Sequence, residues 1–231
     1  MLLVRLVLDG LAAGLLLLGL AYWWLGNAVH EVAGTVMFLL LIGHNVFNRR
    51  WYGRLAKPAP KPRSLFNIGV TFALLLAMSV LLATSIFISN VLSPVLPIQG
   101  GFNARQIHAL AGYWAHVIVS IHLGLRWPMI MGVARNLFGI RKASAARSAL
   151  LRCTAFMVAL HGVWSAWQLG LGARLSMQMT LDWWDFETSV LGFFAHCLAV
   201  SGLIVSGIHY GGRLAGRHSD TISPKATPSI L

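Results

Sequence analysis

Six apolar stretches alternate with polar segments along this chain, at roughly residues 3–25, 29–48, 66–90, 107–128, 150–171 and 188–211. A membrane-spanning helix needs about 20 consecutive apolar residues, and each stretch reaches that length. The alternation of apolar and polar positions that marks barrel strands is missing, so the pattern predicts an all-α polytopic membrane protein with six transmembrane helices. The link from Leu25 to Val29 is short, which makes the first two helices antiparallel neighbours. The first stretch opens MLLVRLVL, as a signal peptide does, but its apolar run continues to Trp24 with no small-x-small cleavage site, and a retained helix is expected. The third, FNIGVTFALLLAMSVLLATSIFIS, has neither histidine nor charge and reads as a packing helix.

Composition reinforces this picture, with 57% hydrophobic and only 10% charged residues. The formal charge of +12 would point to nucleic acid in a soluble protein, but there is no basic groove with stacking aromatics. Assigning the polar segments alternately to two sides explains the charge instead. Sixteen of the 18 basic residues then share one side, leaving Arg105 and Arg174 on the other. By the positive-inside rule both termini are cytoplasmic. The basic linker RRWYGRLAKPAPKPRS is expected to lie against anionic lipid, with Pro58, Pro60 and Pro62 keeping it extended. A second basic linker is expected from Pro128 to Ala149, and a polar, disordered tail from 215 to 231. The outer side carries Glu31, Asp182, Asp185 and Glu187, a mildly acidic face that either guides a basic redox partner or is simply solvated. Cys153 and Cys197 lie inside spans and read as packing residues.

The chemistry rests on a repeat. Residues 30–51, HEVAGTVMFLLLIGHNVFNRRW, and 108–127, HALAGYWAHVIVSIHLGLRW, each begin with histidine, place glycine four residues on (Gly34, Gly112) and a second histidine fourteen residues on (His44, His122). Fourteen helical residues advance about 21 Å and leave the two side chains within about 40° of each other. Both histidines of a pair therefore face one seam. One span separates helices two and four, so these run in the same direction; His30 is level with His108 and His44 with His122. Histidine is a good iron ligand, and two imidazoles on one haem make an electron carrier. Two haems are expected, an outer one on His30/His108 and an inner one on His44/His122, with Gly34 and Gly112 leaving room for the rings. With no Cys-x-x-Cys-His, both are b-type. Arg49, Arg50 and Arg126 lie where inner propionates would emerge and Arg105 where outer ones would, although all four also fit the charge rule.

The other polar residues leave alternatives open. His116 falls off the ligand seam, about 80° from His108, and reads as a hydrogen-bonded core residue. His196 and His209 are out of alignment by about 140° and do not repeat the motif. His161 and His196 lie at similar depth, as a quinone pocket, a further metal site or packing residues. Glu31 is either a proton acceptor during quinol oxidation or an interfacial residue. Asp9, near the cytoplasmic end of the first span, is functional or snorkels to the interface. Two other function classes remain: a permease whose histidines bind a metal or small molecule, which predicts broken helices, and a cofactor-free structural membrane subunit.

In His30-Glu31, Gly34, His44 and Asn48 to Trp51, and in His108, Gly112 and His122 to Trp127, the sequence resembles the bis-histidine dihaem membrane cytochromes b. More narrowly, it is similar to a bacterial membrane-domain family related to cytochrome b561 and the formate dehydrogenase gamma subunit. The likeness covers about residues 5–130, and the last two spans match it loosely. It implies a dihaem four-helix bundle over 1–130, two additional helices over 131–214, and a bacterial inner-membrane location. It also implies an electron-transfer subunit, exchanging electrons between the quinone pool and a partner oxidoreductase.

Overall fold

A computed structural model of the chain describes residues 2–54, 62–95, 100–178 and 184–222. The described residues are all-helical, without strands, and form seven helices. These are α1 (Leu2–Leu20), α2 (Tyr22–Phe47), α3 (Pro62–Ile88), α4 (Phe102–Leu137), α5 (Ala145–Gln168), α6 (Leu171–Leu175) and α7 (Val190–Ile222), with a 3₁₀ turn at Arg49–Arg54. All but α6 are long and apolar enough to cross a membrane.

Several boundaries differ from the sequence expectation for identifiable reasons. Gly26 breaks the first turn of α2 with φ 74° and ψ −176°, a conformation that glycine adopts without steric cost. Pro62, expected in an extended linker, instead opens α3, where its missing N–H is no loss; Pro58 and Pro60 lie outside the described residues. The linker expected from Pro128 is helical as far as Leu137. Pro128 removes one internal donor from α4 but does not end it. The stop is Gly139, in the left-handed region at φ 63°, where Gly139 N–H donates to the Asn136 carbonyl and Ile140 N–H to that of Arg135. That is a Schellman cap. The expected disordered tail is also partly corrected, since α7 continues through residue 222 with no proline between 190 and 222. Residues 223–231 lie outside the described part.

The close-packed pairs are α1 with α2, α3 with α4, α4 with both α1 and α7, and α5 with α7. One core joins the first four helices through Leu16, Met37, Ala77, Met78, Leu81, Ala111 and Ala115. A second joins the α1–α2 corner at Ala21 to Leu169 and to Phe193, Cys197 and Val200 of α7. Residue 130 falls inside α4, whose length is thus shared by both groups of helices. Cys197 is buried in that second core, whereas Cys153 is exposed on α5.

With no hydrophobic drive between helices in lipid, close approach depends on small residues. At Gly124 of α4 an added Cβ would stand 2.9 Å from the Ile208 Cβ, and at Gly162 of α5 it would stand 2.5 Å from the Ala199 carbonyl oxygen and 2.6 Å from the Leu203 Cβ. Overpacking of this kind costs about 1–3 kcal/mol. Gly162→Ala is therefore expected to lower the thermal midpoint of the purified protein by several degrees. Gly132→Ala, where nothing lies within 4 Å, should leave it unchanged, and equal midpoints for the two variants would refute the α5–α7 packing.

Candidate functional site: two histidine layers between α2 and α4

The first layer, called outer after the side that the charge rule predicts, brings His30 of α2 beside His108 of α4, with ring centres 5.8 Å apart and planes at 66°. Tyr22 meets His30 edge-on at 5.2 Å. The backbone of Gly19 on α1 lies within polar range of the His30 ring, and a Cβ there would meet His30 Cε1 at an ordinary 3.9 Å. His108 Nδ1 is 2.9 Å from Thr84 Oγ1 on α3. The Thr84 hydroxyl donates to its own helix at the Val80 carbonyl, 2.7 Å away. His108 Nδ1–H is then the donor to Thr84, and its Nε2 keeps a lone pair. Across the layer, His30 Nδ1 is buried with no hydrogen-bond partner among the described residues.

The inner layer repeats this division with a different partner. His44 Nδ1–H donates to Asp9 Oδ1 of α1 at 2.6 Å, because an ionised carboxylate only accepts. Both side chains are about a third exposed, at 34% and 39%. The Asn48 amide, which donates to the His44 carbonyl at 2.9 Å, stands at a long 3.4 Å from His44 Nε2. On α4, His122 lies within electrostatic range of His44, Asp9 and Arg126. Its Nδ1 is buried and, among the described residues, has no hydrogen-bond partner. Each layer thus holds one imidazole whose Nδ1 is bound by a neighbouring helix and one whose Nδ1 has no partner among the described residues. A buried polar atom left so costs about 1–3 kcal/mol unless something binds it.

The two glycines of the repeat differ. At Gly34 an added Cβ would meet nothing within 4 Å, whereas at Gly112 it would touch Leu20 Cδ2 at 3.4 Å and Leu81 Cδ2 at 4.0 Å. Of the arginines, Arg126 is half-buried one turn beyond His122, while Arg49, Arg50 and Arg105 are exposed.

The remaining histidines lie elsewhere. His116 is buried at the α4–α7 interface, its Nε2 2.8 Å from Ser201 Oγ; Ser120 Oγ donates to the His116 carbonyl at 2.8 Å and lies 3.0 Å from Ser201 Oγ. His161 of α5 stacks on His196 of α7, with ring centres 5.6 Å apart and planes at 25°. His196 Nδ1 is 2.8 Å from Ser165 Oγ and is flanked edge-on by Trp164 and Trp184. His209 packs against Tyr210 near the other end of α7.

Glu31 is committed to holding the outer end of α3. It accepts from Asn27 Nδ2 (2.6 Å), Ser89 Oγ (2.9 Å) and the backbone N–H groups of Asn90 (2.9 Å) and Val91 (3.4 Å). Asp185 is likewise engaged, its carboxylate accepting from the Glu187 and Thr188 backbone. Hydrogen bonds from Thr188, then from the two backbone N–H groups, hold the Asp185 carboxyl below its usual range. Two of the four outer acids therefore fasten local structure; Asp182 lies outside the described residues. Arg174 of α6, on the same side, stacks over Tyr113 at 5.1 Å and donates through Nε to the Leu169 carbonyl.

Comparison of the chain with protein families, with curated proteins and with solved structures finds no match. Sequence reasoning missed Thr84 and Gly19 as neighbours of the outer pair and left the partner of Asp9 open. The only available signals were an uninterrupted apolar α3 containing a threonine and a carboxylate inside the first span. Two imidazoles per layer would complete the coordination of an iron already held by a macrocycle. A bare structural zinc needs four ligands, and no group of three or more His, Cys, Asp or Glu suited to a metal occurs among the described residues.

The Glu31 clasp gives a direct check. Glu31→Ala should make the 90–95 turn several-fold more sensitive to limited proteolysis in detergent. Cleavage at the wild-type rate would mean that those hydrogen bonds do not hold the turn.

Proposed function

We propose that the chain is a membrane-embedded b-type dihaem cytochrome that carries electrons across the bilayer. The observation supporting it is the outer pair on α2 and α4. His30 and His108 stand with ring centres 5.8 Å apart, so two imidazoles from different helices are close enough that both could hold one iron. The unpartnered Nδ1 atoms of His30 and His122 and the open space at Gly34 also fit the group. His30 and His108 would hold the outer haem, and His44 and His122 the inner one. Iron ligated by imidazole on both sides is closed to small ligands and exchanges single electrons.

The chain's own residues supply the rest of the site. Thr84 and Asp9 fix the tautomers of His108 and His44, and Tyr22 braces His30. Leu16, Met37, Leu81 and Ala115 keep water from the space between the layers. In this reading the basic side faces the cytoplasm, both termini lie there, and the protein sits in a bacterial inner membrane between the quinone pool and a partner oxidoreductase. A permease acting through broken helices gains no comparable support, because the Gly26 break in α2 lies outside the histidine layers.

Replacing His30 or His44 with alanine is expected to reduce the haem content from two per chain to one, as read by the reduced-minus-oxidised absorbance of purified protein. His116→Ala should keep both. Unchanged content in the first two variants would contradict the assignment.

A further inference from the structure

Asp9 and Thr84 occupy equivalent places in the two layers, each accepting from the Nδ1–H of one histidine, but their chemistry differs. Thr84 offers His108 a neutral hydroxyl at 2.9 Å; Asp9 offers His44 a carboxylate at 2.6 Å. Charge-assisted hydrogen bonds are shorter and roughly twice as strong as neutral ones. A ligating histidine whose far nitrogen donates to a carboxylate is held in one tautomer and orientation and becomes a more basic ligand. A more basic ligand favours the more positively charged oxidised metal. Asp9 lies on neither ligand helix, and α1 presents it from the side while packing against both α2 and α4. One turn away, Arg5 lies over the Phe47 ring at 5.7 Å, so the inner end of α1 is fixed to α2 at two points.

We propose that Asp9 is a positioning residue that acts through His44 to make the inner haem harder to reduce than a neutral partner would leave it, so that the two layers are electrically unequal. The proposal rests on the dihaem reading above. It assigns Asp9 a task that the snorkelling alternative does not include, since here the carboxylate turns inward onto an imidazole. Thr84 has the corresponding place in the outer layer, without the charge.

The test is a redox titration of each haem in the full-length holoprotein, with His44→Ala identifying the inner signal. Asp9→Asn keeps an oxygen that can accept from Nδ1–H and removes the charge. Both haems should be retained, and the inner reduced-to-oxidised ratio at fixed potential should rise about tenfold, equivalent to about 59 mV for a one-electron couple. The outer midpoint should move far less, and the low-temperature magnetic-resonance signal of the oxidised inner haem should shift with its midpoint. Thr84→Val should move the outer haem alone. Midpoints unchanged in Asp9→Asn, or both shifted alike, would overturn the proposal. Should Asp9→Asn lose the inner haem, Asp9→Glu decides: retention near the wild-type potential supports the positioning role, and loss there too overturns it. Wild-type protein without a b-type band would fail the dihaem reading and this proposal with it, whereas two haems insensitive to Asp9 would fail only the proposal.

Discussion

Inside the hydrocarbon layer a polar group must find its partner within the protein, because no solvent is there to supply one. Histidines on membrane-spanning helices feel this constraint directly, and their surroundings sort them. His116 and His196 have serine partners on neighbouring helices. His44 and His108 are held at one nitrogen by Asp9 and Thr84, with the other nitrogen turned away from those partners. His30 and His122 have a buried nitrogen without a partner. The last four are the repeat: His30 and His108 meet ring to ring, and His122 lies within electrostatic range of His44.

The helix pairs differ in what sets their approach. Gly124, Gly162 and Gly202 let α4, α5 and α7 approach until side chains of one helix touch the backbone of the next. No such glycine contact joins α2 to α4, and these two are not among the close-packed pairs. They are bridged instead by α1, which packs on both, and α4 is further supported by α3. The same neighbours contribute Asp9, Gly19 and Thr84, so the helices without repeat histidines set the orientation of those that carry them.

Much of this was legible in the sequence because one-dimensional patterns carry it. Apolar runs gave the six membrane-length helices, and the fourteen-residue spacing with equal strand-of-sequence direction put His30 beside His108. Other features depend on contacts between helices distant in sequence. The Asp9–His44 bond joins residues 35 apart and the Thr84–His108 bond residues 24 apart; periodicity gives a residue's face but not the neighbour opposite it. The apolar run ends near Pro128, but α4 continues to Leu137 because a membrane helix can absorb one lost donor, and the left-handed Gly139 closes its Schellman cap. The sequence leaves two roles open for Glu31 because the loop that it binds, at Asn90 and Val91, follows a different span.

A carboxylate beside one layer and a hydroxyl beside the other would make the proposed electron path uneven in energy. It presupposes that both layers hold iron. The measurement that bears most directly on this is the amount of non-covalently bound haem b per polypeptide in protein purified from haem-replete cells, determined after extraction in alkaline pyridine. The account predicts two per chain. Protein that is colourless under those conditions would contradict it.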